Sequence, residues 1–197
     1  MTRIIVLASR NEGKLTELRS LLSSLDLSVI SSFDAGYKLS IAENGTTFVE
    51  NACTKAETVS KALDCWAVAD DSGLEVDYLQ GMPGVYSARY AGNQGDDSLN
   101  NEKLLSVLAG VHNEARNARF VSLIALARPL QKTVCFEGIC EGTILTELRG
   151  QGGFGYDALF LPLGEQESFA EMSAERKNLI SHRAIAMAKL REHLGKL

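Results

Sequence analysis

Two adjacent carboxylates, Asp70 and Asp71, follow the apolar run Trp66–Ala69 and precede Ser72 and Gly73. Beyond them Leu74, Val76 and Tyr78 alternate with Glu75 and Asp77, the period of two that marks a half-buried strand. The acidic pair is therefore expected at an exposed edge, where one buried strand ends and another begins. Like charges this close repel, so keeping both ionised calls for a cation or for convergent hydrogen-bond donors. Magnesium is the cation this stretch suggests. The competing reading is a solvated turn, because Asp, Ser and Gly all favour turns for local reasons.

Three further groups carry chemistry. Ser9-Arg10-Asn11-Glu12-Gly13-Lys14 joins an apolar run to a leucine-rich helix. A helix start offers N–H groups to an anion, and Lys14 in the first turn has the wrong charge for the dipole unless a phosphate lies between them. With one glycine and no Gly-Lys-Ser/Thr this is no P-loop, and an ordinary turn with a solvated lysine stays open. Glu43 is exposed by the turn Ile41–Gly45, ahead of a helix opened by a Thr47/Glu50 capping box. Alone it reads as a surface glutamate. Asn51 and Lys55, four apart, share a face of that helix.

Gly150-Gln151-Gly152-Gly153-Phe154-Gly155-Tyr156-Asp157 combines close backbone approach with two aromatics. It suits a flat ligand stacked on a ring, or a glycine-rich turn with core aromatics. Near the C-terminus, Lys177 and Arg183 are six positions apart, about 120° around a straight helix. They reach one ligand only if the helix breaks. Ser181 is a fitting N-cap for a second helix, so a break is predicted near it, with His182 and Arg183 in the new first turn. Cations there point to an anion or to a base edge rich in acceptors. A lone histidine is more often structural.

These groups need elements to hold them. Residues 3–8 read as a strand buried on both faces. The following helix places Leu15, Leu18, Leu21, Leu22 and Leu25 on one face. Residues 33–39 show no pattern. Phe48, Ala52, Ala56, Val59 and Leu63 form the apolar face of the second helix. After the turn Gly81–Gly84, the Tyr- and Arg-rich stretch 85–92 serves recognition or packing. Asp96 and its neighbours cap a helix bearing Leu99, Leu104, Leu105 and Leu108, stopped by Gly110. Ala118–Ala127 and Thr133–Ile139 read as long strands joined around Pro129, the second extended by Gly142–Leu148. They are expected as an antiparallel pair packed on the sheet. Ile180, Ala184, Met187 and Leu194 mark the buried stripe of the terminal helical segment.

A chain of 197 residues suits one large or two-lobed domain. A net charge of −5 without a basic tract argues against a general nucleic-acid binder, while a small anionic substrate fits locally converging cations. Cys53, Cys65, Cys135 and Cys140 contain no Cys-x-x-Cys pair, so free buried thiols in a reducing compartment are expected. No run has the length of a signal or membrane-spanning segment, which makes a cytoplasmic address the expectation.

Taken in order, Ser9–Lys14, Glu43–Ala52, Ala69–Leu74, Gly84–Tyr90, Gly152–Asp157 and Ser181–Arg183 span nearly the whole chain, and together they resemble the inosine triphosphate pyrophosphatase family, the house-cleaning dITP/XTP pyrophosphatases. The resemblance implies an α/β fold in which a long mixed β-sheet is flanked by helices. It also implies a single two-lobed domain over residues 1–197 with the active site in the cleft, and a homodimer. The implied reaction is Mg²⁺-dependent cleavage of a deaminated purine triphosphate to the monophosphate and pyrophosphate. Carried over by residue, metal ligation falls on Glu43 and Asp71, and the general base on Asp71 with Asp70 in support. Substrate contacts fall on Ser9, Arg10, Asn11, Glu12, Gly13, Lys14, Lys55 and Ser72, and on Phe154, Gly155, Tyr156, Asp157, Lys177, His182 and Arg183. The pair Ser9-Arg10 departs from the Thr-Gly of many relatives; a Ser hydroxyl replaces that of Thr, but Arg10 leaves the backbone less free. Two alternatives keep the scaffold: a nucleotide-binding regulator without turnover, and the same chemistry on damaged pyrimidines or oxidised purines.

Overall fold

The first apolar run forms strand β1 (Arg3–Leu7) in the computed structural model, which describes residues 3–9, 11–92 and 95–197. Ile5, Val6 and Leu7 are all buried, as a strand covered on both faces requires. Helix α1 (Glu12–Leu22) turns Leu15, Leu18 and Leu22 inward, the 3-4 spacing of one helical face. Strand β2 (Leu27–Ser31) then pairs parallel with β1, Ile5 opposite Val29. No strand was expected here, because Ser28 and Ser31 interrupt the apolar pattern that would have signalled it. Helix α2 (Phe48–Leu63) buries Phe48, Ala52, Ala56 and Val59. In its capping box Thr47 Oγ1 accepts from Glu50 N at 3.1 Å, and the Glu50 carboxylate accepts chiefly from Thr46 N at 2.7 Å and more weakly from the Thr47 backbone.

Strand β3 (Trp66–Val76) runs through Asp70, Asp71, Ser72 and Gly73 without a break. The expected junction between two strands is therefore corrected: the acidic pair lies inside one strand. A polar stretch in a buried strand persists only when other groups satisfy its charges. Strands β4 (Asn117–Ala127) and β5 (Val134–Ile144) follow helix α3 (Asp97–Val107), and strand β6 (Phe160–Pro162) precedes helices α4 (Ala174–Ile180) and α5 (His182–Leu194). One six-stranded sheet in the order β2-β1-β3-β4-β5-β6 contains them all. It is mixed, β1 running parallel to β2 and β3 while β5 and β6 are antiparallel. So β4 and β5 are members of the sheet rather than a pair packed on it, and β5 ends at Ile144.

The chain divides into two compact units. The first takes residues up to Asp71, Ser122–Gly138 and Ile185–Leu197; the second takes Ser72–Val121 and Ile139–Ala184. In the first, Ile5, Leu7, Leu15, Leu18, Val68, Ile124, Leu126 and Leu190 make one core. In the second, Leu74, Leu104, Leu108, Leu159 and the Phe120–Phe160–Phe169 cluster make another, with Phe120 and Phe160 ring centroids 4.7 Å apart. Each buried Leu or Phe stabilises by roughly 1.5–3 kcal/mol relative to exposure, enough to fix the strand residues that carry charge. All four cysteines are free, but only Cys140 is buried and Cys135 is exposed, which corrects the expectation of buried thiols.

Candidate active site

The acidic pair belongs to the first unit. Successive strand residues point to opposite faces, and the partners of Asp70 and Asp71 differ accordingly. Asp70 is buried, with Oδ1 accepting from Ser122 Oγ at 2.9 Å and Oδ2 paired with Lys14 Nζ at 2.6 Å. Asp71 Oδ1 accepts from Lys55 Nζ at 2.8 Å. The same ammonium donates to Glu43 Oε2 at 2.9 Å and to the Asp70 carbonyl at 3.0 Å. Each adjacent carboxylate thus has its own lysine, which offsets their mutual repulsion.

Local sequence explains how those lysines arrive. Asn11 caps α1, its Oδ1 accepting from Lys14 N at 3.0 Å, while Asn11 N donates to Ser9 Oγ at 3.1 Å. One of the N–H groups expected to be open to an anion is therefore already taken. Lys55 lies on α2 one turn beyond Asn51, whose Oδ1 accepts from Gly45 N at 2.8 Å. A Cβ on Gly45 would stand 2.6 Å from that oxygen, so only glycine lets the loop close on the helix and carry Glu43 to Lys55.

Electrostatics separate the two carboxylates that share Lys55. Burial dominates at Asp71, whose side chain is 13% exposed, and with the charge of Glu43 it outweighs Lys55 and raises the carboxyl above its ordinary range. At Glu43, 40% exposed, burial is again the largest single influence and pushes upward, but Lys55, the hydrogen bond with Asp71 and the charge of Lys14 together outweigh it, and the net shift is down. Lys55 loses solvation too, yet Asp71 and Glu43 together hold its ammonium charged more firmly than usual. Glu43 and Asp71 are oxygen donors converging on one cation, the donor chemistry that Mg²⁺ prefers. Among the described residues no group of three or more His, Cys, Asp or Glu is arranged to hold a metal. Two carboxylates are what magnesium commonly takes from a protein, waters and phosphate supplying the rest.

The second unit carries a separate constellation. Phe154 is 61% exposed, with Lys177 Nζ 5.1 Å and Arg183 Cζ 5.6 Å from its ring centroid. Asp157 Oδ2 accepts from Lys177 Nζ at 2.5 Å and from Phe154 N at 2.8 Å. The predicted helix break is present: Ser181 has extended backbone between α4 and α5, and its Oγ accepts from Ala184 N at 3.3 Å. His182 is buried and stacks on Phe120 with centroids 4.7 Å apart, and Arg183 donates to Ser72 Oγ at 3.3 Å. Of the two aromatics in the glycine-rich stretch only Phe154 is available to a ligand. Tyr156 is buried and donates from its hydroxyl to Ser87 O at 2.9 Å, a packing role.

Glu12 and Gly13 lie exposed in the first turn of α1, and Arg10 falls outside the described residues. Ser122 escaped the sequence reading. Ser122 had a signal, a lone hydroxyl in the apolar run Ala118–Ala127, since a polar group buried there needs a partner. Asn51 was placed on the right helix face, but nothing local marks it as the anchor of the Glu43 loop.

The profile of the Ham1 family matches residues 5–193. A dITP/XTP pyrophosphatase of Bacillus licheniformis is 50% identical over 94% of this chain and 95% of that protein. A second, of Bacillus subtilis, is 46% identical over 94% of this chain and 93% of its own. Among solved structures, a HAM1 protein from Coxiella burnetii superposes with a TM-score of 0.94 at 38% identity, covering 99% of this chain and 100% of that one. The Ham1 protein of Staphylococcus aureus gives 0.92 at 40% identity, over 98% and 99%.

Proposed function

The chain belongs to the Ham1 family, and on that premise we propose that it hydrolyses deaminated purine nucleoside triphosphates, ITP, dITP and XTP, to the monophosphate and pyrophosphate, with residues 1–197 working as one catalytic domain. The observation that carries the reading is Lys55 held between Glu43 and Asp71, beside the Lys14–Asp70 pair. A triphosphate brings about four negative charges, and lysines already oriented by carboxylates meet it without a cost of reorganisation.

Glu43 and Asp71 are the residues that would hold Mg²⁺; a bound ion would neutralise phosphate charge and make a coordinated water more acidic. Asp71 orients a water toward the α-phosphorus and takes its proton. As the new P–O bond forms, the α–β bridging bond breaks and pyrophosphate departs. Lys14 and Lys55 stabilise charge on the phosphate oxygens.

Base reading falls to the second constellation. Phe154 offers a stacking face, and His182 and Arg183 supply donors suited to the C6 carbonyl of hypoxanthine and xanthine. Adenine presents an amine there and leaves those donors unpaired, at roughly 1–3 kcal/mol each. The reading includes a homodimer, a free nucleotide rather than a nucleic acid as substrate, and a cytoplasmic setting. No helix among the described residues is long and apolar enough to cross a membrane.

The test is a panel of ITP, dITP, XTP, GTP and ATP with Mg²⁺ and with EDTA, products resolved by chromatography. Pyrophosphate and the monophosphate, formed from the deaminated purines and dependent on the metal, are expected. A diphosphate with orthophosphate, equal turnover of ATP, or tight binding without turnover would each overturn the proposal.

A further inference from the structure

Gly155 stands between exposed Phe154 and buried Tyr156, and both of its backbone polar groups are taken by α3. Asp97 Oδ2 accepts from Gly155 N at 2.6 Å, and Asn101 Nδ2 donates to Gly155 O at 2.8 Å. Asn101 Nδ2 also donates to Asp97 O at 2.8 Å, so residues four apart on one helix face act as a single clamp. On the other side, Phe154 N is held by Asp157 Oδ2.

The clamp does not serve core packing. Tyr156 is fixed by burial and by its bond to Ser87, and Phe154 buries too little to reward being held. Nor does crowding explain Gly155: a Cβ there meets nothing within 4 Å, but its φ of +61° is one that side chains resist. Helix α3 therefore maintains a backbone conformation whose visible consequence is where the Phe154 ring stands.

We propose that Asp97 and Asn101 are positioning residues that pre-set the backbone under Phe154 and so determine how strongly the purine is read. The inference rests on the base-stacking role given to Phe154 above. Their bonds go to the Gly155 backbone and to α3 itself, so their loss weakens ground-state and transition-state binding of the base alike. Such a change raises KM and leaves kcat.

The experiment measures kcat and KM for ITP and ATP in wild type, Phe154→Ala, Asp97→Ala, Asp97→Asn and Asn101→Ala. Asp97→Ala and Asn101→Ala are expected to raise KM for ITP about tenfold with kcat within about twofold. KM for ATP rises as well, because adenine stacks on the same ring. Asp97→Asn keeps an acceptor oxygen and recovers most of the loss. Asp97 is exposed, so its variants test the clamp even where Asn101→Ala fails to fold. If Phe154→Ala raises KM for ITP while both clamp variants keep wild-type KM, or lose kcat instead, the inference is wrong and the stacking role stands. If Phe154→Ala leaves ITP constants unchanged, the stacking role itself is wrong and the clamp inference falls with it.

Discussion

Lys55 touches two carboxylates and a carbonyl while almost wholly buried, and its charge is sustained only because Asp71 and Glu43 are both present. Asp71 is the more buried of the two acids and the one whose proton affinity is raised, by burial first and Glu43 second. Removing the Asp71 charge while keeping its shape isolates its role in the chemistry. Asp71→Asn is expected to lower pyrophosphate release from ITP by about 10²–10⁴-fold, the range of a lost general base. The far-ultraviolet circular dichroism should match wild type, since an amide still accepts from Lys55. Wild-type turnover in that variant would remove Asp71 from the chemistry. Asp70 is a different case: with Ser122 on one oxygen and Lys14 on the other, it orients a cation rather than meeting a proton.

Among the elements, the glycine-rich loop before β6 separates two reasons for a glycine. Gly153 has φ +72°, and a Cβ there would fall 2.1 Å from Asp157 Oδ2, the atom that holds both Lys177 and Phe154 N. Gly155 has φ +61° with open space around it. Gly155→Ala therefore carries only the strain of a left-handed residue, roughly 1–2 kcal/mol. Gly153→Ala carries that strain and displaces Asp157, so it should destabilise more in urea titrations and also raise KM for ITP. Equal effects in the two variants would show that the Asp157 contact is unimportant. The spacing of Lys177 and Arg183 made the break at Ser181 legible in the sequence, because two cations on one unbroken helix face apart. The continuity of β3 was not legible. Asp-Asp-Ser-Gly has every local feature of a turn, and only lysines from α1 and α2 make it tolerable as strand.

Across the whole molecule, thiol ionisation sets a limit on alkaline stability. Burial, followed by Glu141 and Glu165, pushes Cys140 up to about 11 from an ordinary 9.0. Burial, followed by Cys135 and Glu57, pushes Cys53 up to about 12. Above pH 9 the unfolded chain releases these protons while the folded chain keeps them, so unfolding gains and stability falls as pH rises from about 9 to about 12. Below pH 9 both states are protonated and the thiols contribute no slope. Urea midpoints at pH 8 and pH 10.5 should differ in that direction, and Cys140→Ala should show a smaller decline than wild type. An unchanged slope in Cys140→Ala would assign the decline to other groups.

The sequence alone determined where β1, α1, α2 and α3 lie, because a strand covered on both faces leaves a continuous apolar run, one buried face of α1 or α2 leaves a period of 3.6, and Asp96 and Gly110 bracket α3. It also marked, by residue type, the acids, lysines and aromatic that chemistry could use. Only the tertiary structure decided which lysine serves which acid. Lys14 meets Asp70 and Lys55 meets Asp71 because β3 lies beside β1 in the sheet and α2 carries its polar face to the same strand. Ser122 reaches Asp70 across 52 residues of chain for the same reason, since β4 is the next strand over. Periodicity reports which way a side chain faces; strand order reports what it will face, and no local pattern encodes that.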